Sequence, residues 1–371
     1  MDERALKESF ERVGEHGDEV ALFFYSHLFL GHPELRDMFP VSMSAQRDRL
    51  LNALGRIVSD VGNLDSLVPF LADLGRDHRK FGVSPEHYPA VGASLLAALT
   101  HFSGSAWNAR LAADWAAAYG VIAEVMIGAA DGDEHNPPWW DGTIIGHERR
   151  AVDIAVLKVS TSQPLPYIPG QSVAMEFERR PRLWRMFSMA NAPRPDGTLD
   201  FHVRIVDGGQ VTGALVRDPG IGSALRLGPP VGTFKLDTRS ERPIVLAAGG
   251  TGLAPLKAIL EHLAVARPDP PPAHLVVGAR TAAELYDVAD LEKMAATSPW
   301  LTVTPAVSAE QDPRAEHGTV ADVLTRLNTW RDHDAYVCGS SAMVAATTDR
   351  LRTLGTPPER IFIEDFGWSQ S

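Results

Sequence analysis

The chain has 371 residues, enough for two or three domains. Apolar residues make up 44% and charged residues 22%, the balance of an ordinary folded protein. The formal net charge of −12 argues against nucleic acid or anionic lipid as partner, and the single cysteine, Cys338, excludes internal disulfides and a four-thiolate iron–sulfur cluster.

The opening MDERALKESFERVGEH is charged throughout, unlike a signal peptide. Apolar runs stop short of the roughly 20 residues that a membrane span needs, and the lone cysteine suits a reducing setting, so a cytoplasmic protein is expected. Residues 1–130 read as all-helical: DEVALFFYSHLF has no Gly or Pro, and LLNALGRIVSDV repeats apolar residues at helical spacing. Pro33, Pro40, Pro85 and Pro89 punctuate this half at helix starts or ends. Leu22, Tyr25 and Phe29 share a predicted face, as do Gln46, Leu50 and Ala53, and as do Leu71, Leu74 and His78. A histidine on an apolar stripe is most simply a packed core residue, but it is also the commonest metal and haem ligand. Inward-facing Tyr25 and Gln46 need a polar group between them, because unpaired polar tips are costly to bury. Phe39 could stack on a flat cofactor.

DGDEHNPPWWDG (131–142) breaks the helical pattern and reads as a linker. Short strands then follow at AVDIAVLKVS, SVAMEF, RMFSMA and LDFHVRIV, separated by turn signals such as PRPDG (193–197) and DGG (207–209). They suggest a small antiparallel β-barrel. From about 241 the strands PIVLAA, HLVVGA, LTVTPAV, AYVCG and IFIED alternate with helical stretches, the pattern of a doubly wound α/β sheet. The loop in AAGGTGLAPLKAIL (247–260) follows a strand and opens a helix. There Gly249, Gly250 and Gly252 suit close backbone approach to a pyrophosphate, with Thr251 a further candidate in the same loop, and Pro255 fits the helix start.

FFYSHLF, HPELRDMF, QRDRLL and DHRKFGVSPEHYPAVG together resemble the globin domain of bacterial flavohaemoglobins. The resemblance implies His78 as the proximal haem ligand, Tyr25 and Gln46 as distal polar residues, Phe39 and Leu50 as haem contacts, and Tyr88 beside the proximal histidine. The family's proximal glutamate falls on Ala130, a departure that implies a weaker electronic push at the iron. Glu124, two turns away, reads as a solvated charge.

RMFS (185–188) resembles the R-x-Y-S motif of the ferredoxin-reductase family. It implies Arg185 on the FAD pyrophosphate, Phe187 (in place of Tyr) against the isoalloxazine, and Ser188 bonded to it. Gly209, Gln210, Val211 and Thr212 resemble the family's Gly-rich segment at a helix start, where backbone N–H groups can hold phosphate, and YIPGQSV (167–173) precedes a barrel strand as in the family. YVCGSSAMV resembles the C-G-P-x-x-M segment, with Cys338 and Gly339 flanking the nicotinamide and Ser340 in place of Pro. EDFG resembles the E-x-F tail, with Phe366 near the flavin. Arg280 is a candidate contact for the adenosine ribose or its phosphate. No basic cluster surrounds it, which favours NADH over NADPH.

The reading is a multidomain chain: an all-α globin domain (1–135), an antiparallel β-barrel FAD domain (143–238) and a doubly wound α/β NAD(P)-binding domain (241–371). The resemblance implies haem b, FAD and NADH or NADPH as cofactors, O2 and NO as small-molecule partners, and a monomer with an apolar distal pocket able to hold a lipid. The implied activity is nitric oxide dioxygenase. The alternatives are a divergent relative reducing peroxides or quinones with another electron donor, and a gas sensor or O2 carrier with its own reductase.

Overall fold

The computed structural model describes residues 1–327 and 330–365. The chain divides into two compact units, one spanning Met1–Trp139 and one beginning at Trp140.

The first unit is helical: α1 (Glu3–Gly14), α2 (Asp18–Gly31), α3 (Ser44–Ser59), α4 (Leu64–His78), α5 (Tyr88–Ser103) and α6 (Ala109–Asp131). Side-chain oxygens cap three starts: Asp2 accepts from Ala5 N at 3.1 Å, Asn63 from Ser66 N at 3.4 Å and Asn108 from Leu111 N at 3.0 Å. The core is built from Leu6, Phe24, Leu28, Leu99 and Trp115, each at most 4% exposed. Burying one such side chain contributes about 1.5–3 kcal/mol. Gly75 lets α4 and α6 cross closely, since a Cβ there would meet the Met126 carbonyl oxygen at 2.3 Å. α6 is long and apolar enough to cross a membrane by length and composition alone, which the sequence reading did not anticipate. Here Leu111, Trp115, Ala118 and Met126 are buried in the helical core. Leu22, expected inward with Tyr25, is 52% exposed. α2 is apolar nearly all round, so its pattern does not decide which stripe faces in.

In the second unit, β1 (Trp140–Arg149), β2 (Ile154–Thr161), β3 (Ser172–Phe177), β4 (Arg180–Ser188), β5 (Thr198–Arg204), α7 (Gln210–Arg217) and β6 (Ala224–Leu227) form the first lobe. Its antiparallel order is β4-β3-β6-β1-β2-β5. A bridge between Met189 and Phe201 joins the two edges and curls the sheet into a barrel. Ile144, Leu157, Phe177 and Phe201 fill the interior, each 0% exposed. β1 begins inside the stretch read as linker, and neither β1 nor β6 was anticipated.

The remaining elements are β7 (Ile244–Gly249), α8 (Leu253–Ala266), β8 (Ala273–Ala279), α9 (Val288–Thr297), β9 (Leu301–Val307), β10 (Glu316–His317), α10 (Val320–Leu327), β11 (Asp334–Gly339), α11 (Ser341–Thr353) and β12 (Ile361–Asp365). The strands pair in parallel in the order β10-β9-β8-β7-β11-β12. Buried clusters cover both faces, as a parallel sheet with helical crossovers requires. The order reverses at β7, and a ligand cleft is expected at the carboxyl ends of the strands beside it.

Candidate haem, flavin and nicotinamide sites

His78 ends α4. Its Nδ1 lies 2.7 Å from the Leu74 carbonyl oxygen, which can only accept, so Nδ1 carries the proton and Nε2 keeps its lone pair. Burial lowers the ring's pKa, favouring the neutral imidazole that a metal needs. The Phe81 ring meets His78 edge to face, with centroids 6.0 Å apart. Lys80, also buried, pairs with Asp77.

A cavity of about 230 Å³ opens beside His78. Gly75, Tyr88, Ala130, Asp131 and Glu134 are among its lining residues. The Tyr88 phenol has its pKa raised by burial and then by Asp131, so that carboxylate lies near it. The Tyr88 main chain is fixed by the Tyr119 hydroxyl, which donates to its carbonyl at 2.6 Å. Ala130 thus faces the same cavity as His78, with carboxylates one and four residues further on. The family pattern points to position 130 alone, and only the last turn of α6 reveals Asp131. Glu124 is exposed.

Tyr25, 5% exposed, is surrounded by Phe24, Phe29 and Phe39, with ring centroids 4.9, 5.8 and 5.5 Å away. Burial pushes its phenol up to about 12, so it stays a proton donor at neutral pH. Its hydroxyl donates to the Gln46 main-chain carbonyl at 3.4 Å, a long and weak bond. Tyr25 and Gln46 therefore come together, but through the Gln46 backbone. Leu50 and Phe39 pack on the same cluster as Tyr25. Arg36, which the sequence reading missed, fixes the segment carrying Phe39. It donates to the carbonyls of Phe39, Pro40 and Val41 at 3.2, 3.0 and 3.2 Å, and its guanidinium lies over the Phe29 ring.

On the barrel, β3 and β4 pair Ser172 with Ser188 and Val173 with Phe187. The Ser188 hydroxyl is buried without a hydrogen-bond partner among the described residues. Such an orphan costs about 1–3 kcal/mol unless a ligand satisfies it, so the position suits the polar edge of a bound ring. Arg185 and Phe187 are half-buried on the same strand. Gly209 precedes α7, whose first turn contains Gln210, Val211 and Thr212. Its free N–H groups suit a phosphate. The Thr212 hydroxyl already accepts from Val206 N at 3.3 Å and so acts within the turn. In YIPGQSV, Tyr167 donates to the Asn191 carbonyl at 2.7 Å, and the Gln171 side chain accepts from Ile168 N at 2.8 Å.

At the carboxyl ends of β7 and β11 the backbones close on each other. A Cβ on Gly252 would meet the Cys338 carbonyl oxygen at 2.3 Å, and one on Gly339 would meet Met343 Sδ at 2.9 Å. Gly250 has φ +54°. Thr251 lies in the turn with them and Pro255 in the first turn of α8. The glycines permit this close backbone approach, an arrangement suited to a pyrophosphate. Cys338 is 0% exposed, and burial holds its thiol protonated. Glu364 lies opposite Cys338 on β12, its pKa raised by burial. Phe366 lies outside the described residues. The Arg280 side chain is exposed, while its N–H donates to Glu284 at 2.9 Å and Ala282 N donates to Glu310 at 2.6 Å.

Similarity to known proteins follows the same three-part order. The globin family matches residues 22–126, the oxidoreductase FAD-binding domain family 142–236 and the oxidoreductase NAD-binding domain family 246–349. A flavohemoprotein of Bordetella parapertussis is 30% identical over 383 residues, covering 95% of this chain and 94% of that one. The reductase component of a Pseudomonas putida naphthalene 1,2-dioxygenase system is 35% identical over 232 residues, covering 61% of this chain and 68% of its own. The crystal structure of a flavohemoglobin from Malassezia yamatoensis, with bound FAD and heme, matches with a TM-score of 0.81 at 18% identity, covering 98% of each chain. The matched families thus define an oxidoreductase that carries a haem-binding globin domain and FAD- and NAD-binding domains in one chain. The chain belongs to the flavohaemoprotein family.

Proposed function

We propose that the protein is a nitric oxide dioxygenase, converting NO and O2 to nitrate with electrons from NADH. The reading is carried by the helical unit's holding both a buried Tyr25 phenol that stays protonated and a His78 ring whose tautomer Leu74 fixes. When bound, the cofactors supply hydride, its division into single electrons, and an iron for O2 and NO. The chain's own residues do the rest. His78 would hold the iron through Nε2, with Leu74 fixing the ring. The Tyr25 hydroxyl, and the Gln46 amide once turned inward, would donate hydrogen bonds to a small polar ligand in place of water. Phe39 and Leu50 would wall the pocket, and Tyr88 would border the iron ligand. Arg185 and the start of α7 would hold the flavin pyrophosphate, and Ser188 its ring. Gly249 to Gly252 would cradle the nicotinamide dinucleotide, with Cys338 and Gly339 at its reactive end. Glu284 and Glu310 place carboxylates at the loop after β8, which disfavours a 2′-phosphate and supports NADH as donor.

The test is steady-state NO consumption with NADH, with nitrate measured as product. NADH oxidation that ignores NO would reject this reading. It would favour a reductase serving another acceptor, a reading supported by the 35% identity of the reductase half to an oxygenase partner.

A further inference from the structure

Two consecutive residues of the nicotinamide lobe reach the flavin barrel. Tyr286 and Asp287 lie in the connection that leads into α9. The Tyr286 hydroxyl and His202 Nδ1 are 2.7 Å apart, and their rings meet edge to face. His202, 5% exposed, follows Phe201 on β5, and Phe201 bridges Met189, the neighbour of Ser188. Asp287, 1% exposed, is held by Lys257 of α8 at 2.7 Å and by Arg150, from the connection between β1 and β2, at 3.2 Å. Arg150 also grips Asp290 and Glu148, each at 2.9 Å. Tyr286 itself packs on the buried cluster that contains Cys338. One step of chain therefore ties the strand beside the flavin motif to the core beneath the nicotinamide motif.

A buried carboxylate shared by two cations adds little net stability over an apolar replacement, but separating it from either partner strands a buried charge, which holds the three groups together. Hydride transfer depends on that geometry. The reacting atoms must sit about 3–3.5 Å apart, and a misplacement of about 1 Å costs roughly a hundredfold in rate. We propose that Tyr286 and Asp287 form an interlobe latch, received by His202 and Arg150, that sets the approach of the dihydronicotinamide to the flavin. In that step the nicotinamide C4–H bond breaks, and its hydrogen and electron pair pass to the flavin ring. The nicotinamide is oxidised and the flavin is reduced by two electrons. The latch residues are positioning residues and touch neither reacting atom. The inference rests on the reading of Ser188 and Cys338 as the flavin and nicotinamide ends.

The experiment mixes full-length protein carrying FAD and haem with NADH, without oxygen, and follows flavin bleaching by stopped flow. Tyr286→Phe and His202→Phe are each expected to slow the limiting rate about tenfold. The double variant slows no further than either single one, because both break the same bond. The deuterium effect with 4-deuterated NADH increases, while the NADH concentration for half-saturation holds. If one variant fails to fold, the other breaks the same bond from the opposite side. Variants that melt earlier but keep the native rate per bound flavin overturn the latch. Native protein whose flavin NADH does not bleach overturns the underlying site reading instead.

Discussion

Nδ1 of His78 lies 2.7 Å from the carbonyl oxygen of Leu74, one turn back along α4. The helix's own backbone therefore selects the tautomer that leaves Nε2 for a metal. His78→Ala is expected to lower haem retention by more than about tenfold while FAD stays bound. The ratio of the haem Soret band to flavin absorbance reads this directly, and an unchanged ratio refutes the ligand assignment.

Tyr25→Phe keeps the aromatic packing and removes the donor. The native bond to Gln46 is long, so stability should change by less than about 1 kcal/mol. Loss of a donor toward bound O2 should speed its dissociation roughly five- to tenfold. Flash photolysis would measure it. A dissociation rate equal to that of the native protein would mean that the phenol points elsewhere.

How much of this was legible beforehand varies by element. β3, β9 and β12 are short runs of branched or aromatic residues bounded by turns, and they fall where SVAMEF, LTVTPAV and IFIED predict. β1 was missed because its apolar residues are interleaved with Asp141, Gly142 and Gly146, beside a Pro- and Asp-rich stretch. β6 is only four residues long. The glycine cradle was readable because local backbone needs dictate its residues. His202 and Tyr286, 84 positions apart, carry no local signal, and only the folded chain brings them together. The Arg36 clamp on three carbonyls has no signature in the sequence, since an arginine in RDMF carries no distinguishing pattern.

Gly250→Val forces a β-branched residue into φ +54° and brings its Cβ to 3.2 Å from Arg204 Nη1. The backbone cost alone is about 1–2 kcal/mol. NADH-driven flavin reduction should fall at least about tenfold, with the haem spectrum intact. Loss of both signals would indicate a folding failure instead of a site effect.

Burial depresses His202 to about 3, with Lys257 and Arg150 adding to it and Asp200 and Asp290 opposing. Tyr286 occupies its Nδ1 side. Burial also lowers the pKa of His262, His274 and His333. The unfolded chain takes up protons below about pH 6.5, whereas folded His202 refuses one until about pH 3. The histidines' contribution to the stability of this unit is therefore full above about pH 6.5 and declines as the pH falls below it, with each group contributing a slope of up to about 1.4 kcal/mol per pH unit. Urea unfolding followed by flavin fluorescence should show a lower midpoint at pH 5 than at pH 7, and His202→Phe should flatten the difference. Equal midpoints in the native protein would contradict the burial of neutral histidines.

Gly75 stands three residues before His78, at the point where α4 rests on the Met126 carbonyl. It works as a fulcrum: any side chain there must lever the two helices apart, and the imidazole rides on the moving arm. The residue at position 75 thus constrains where the His78 ring stands, although it carries no side chain of its own.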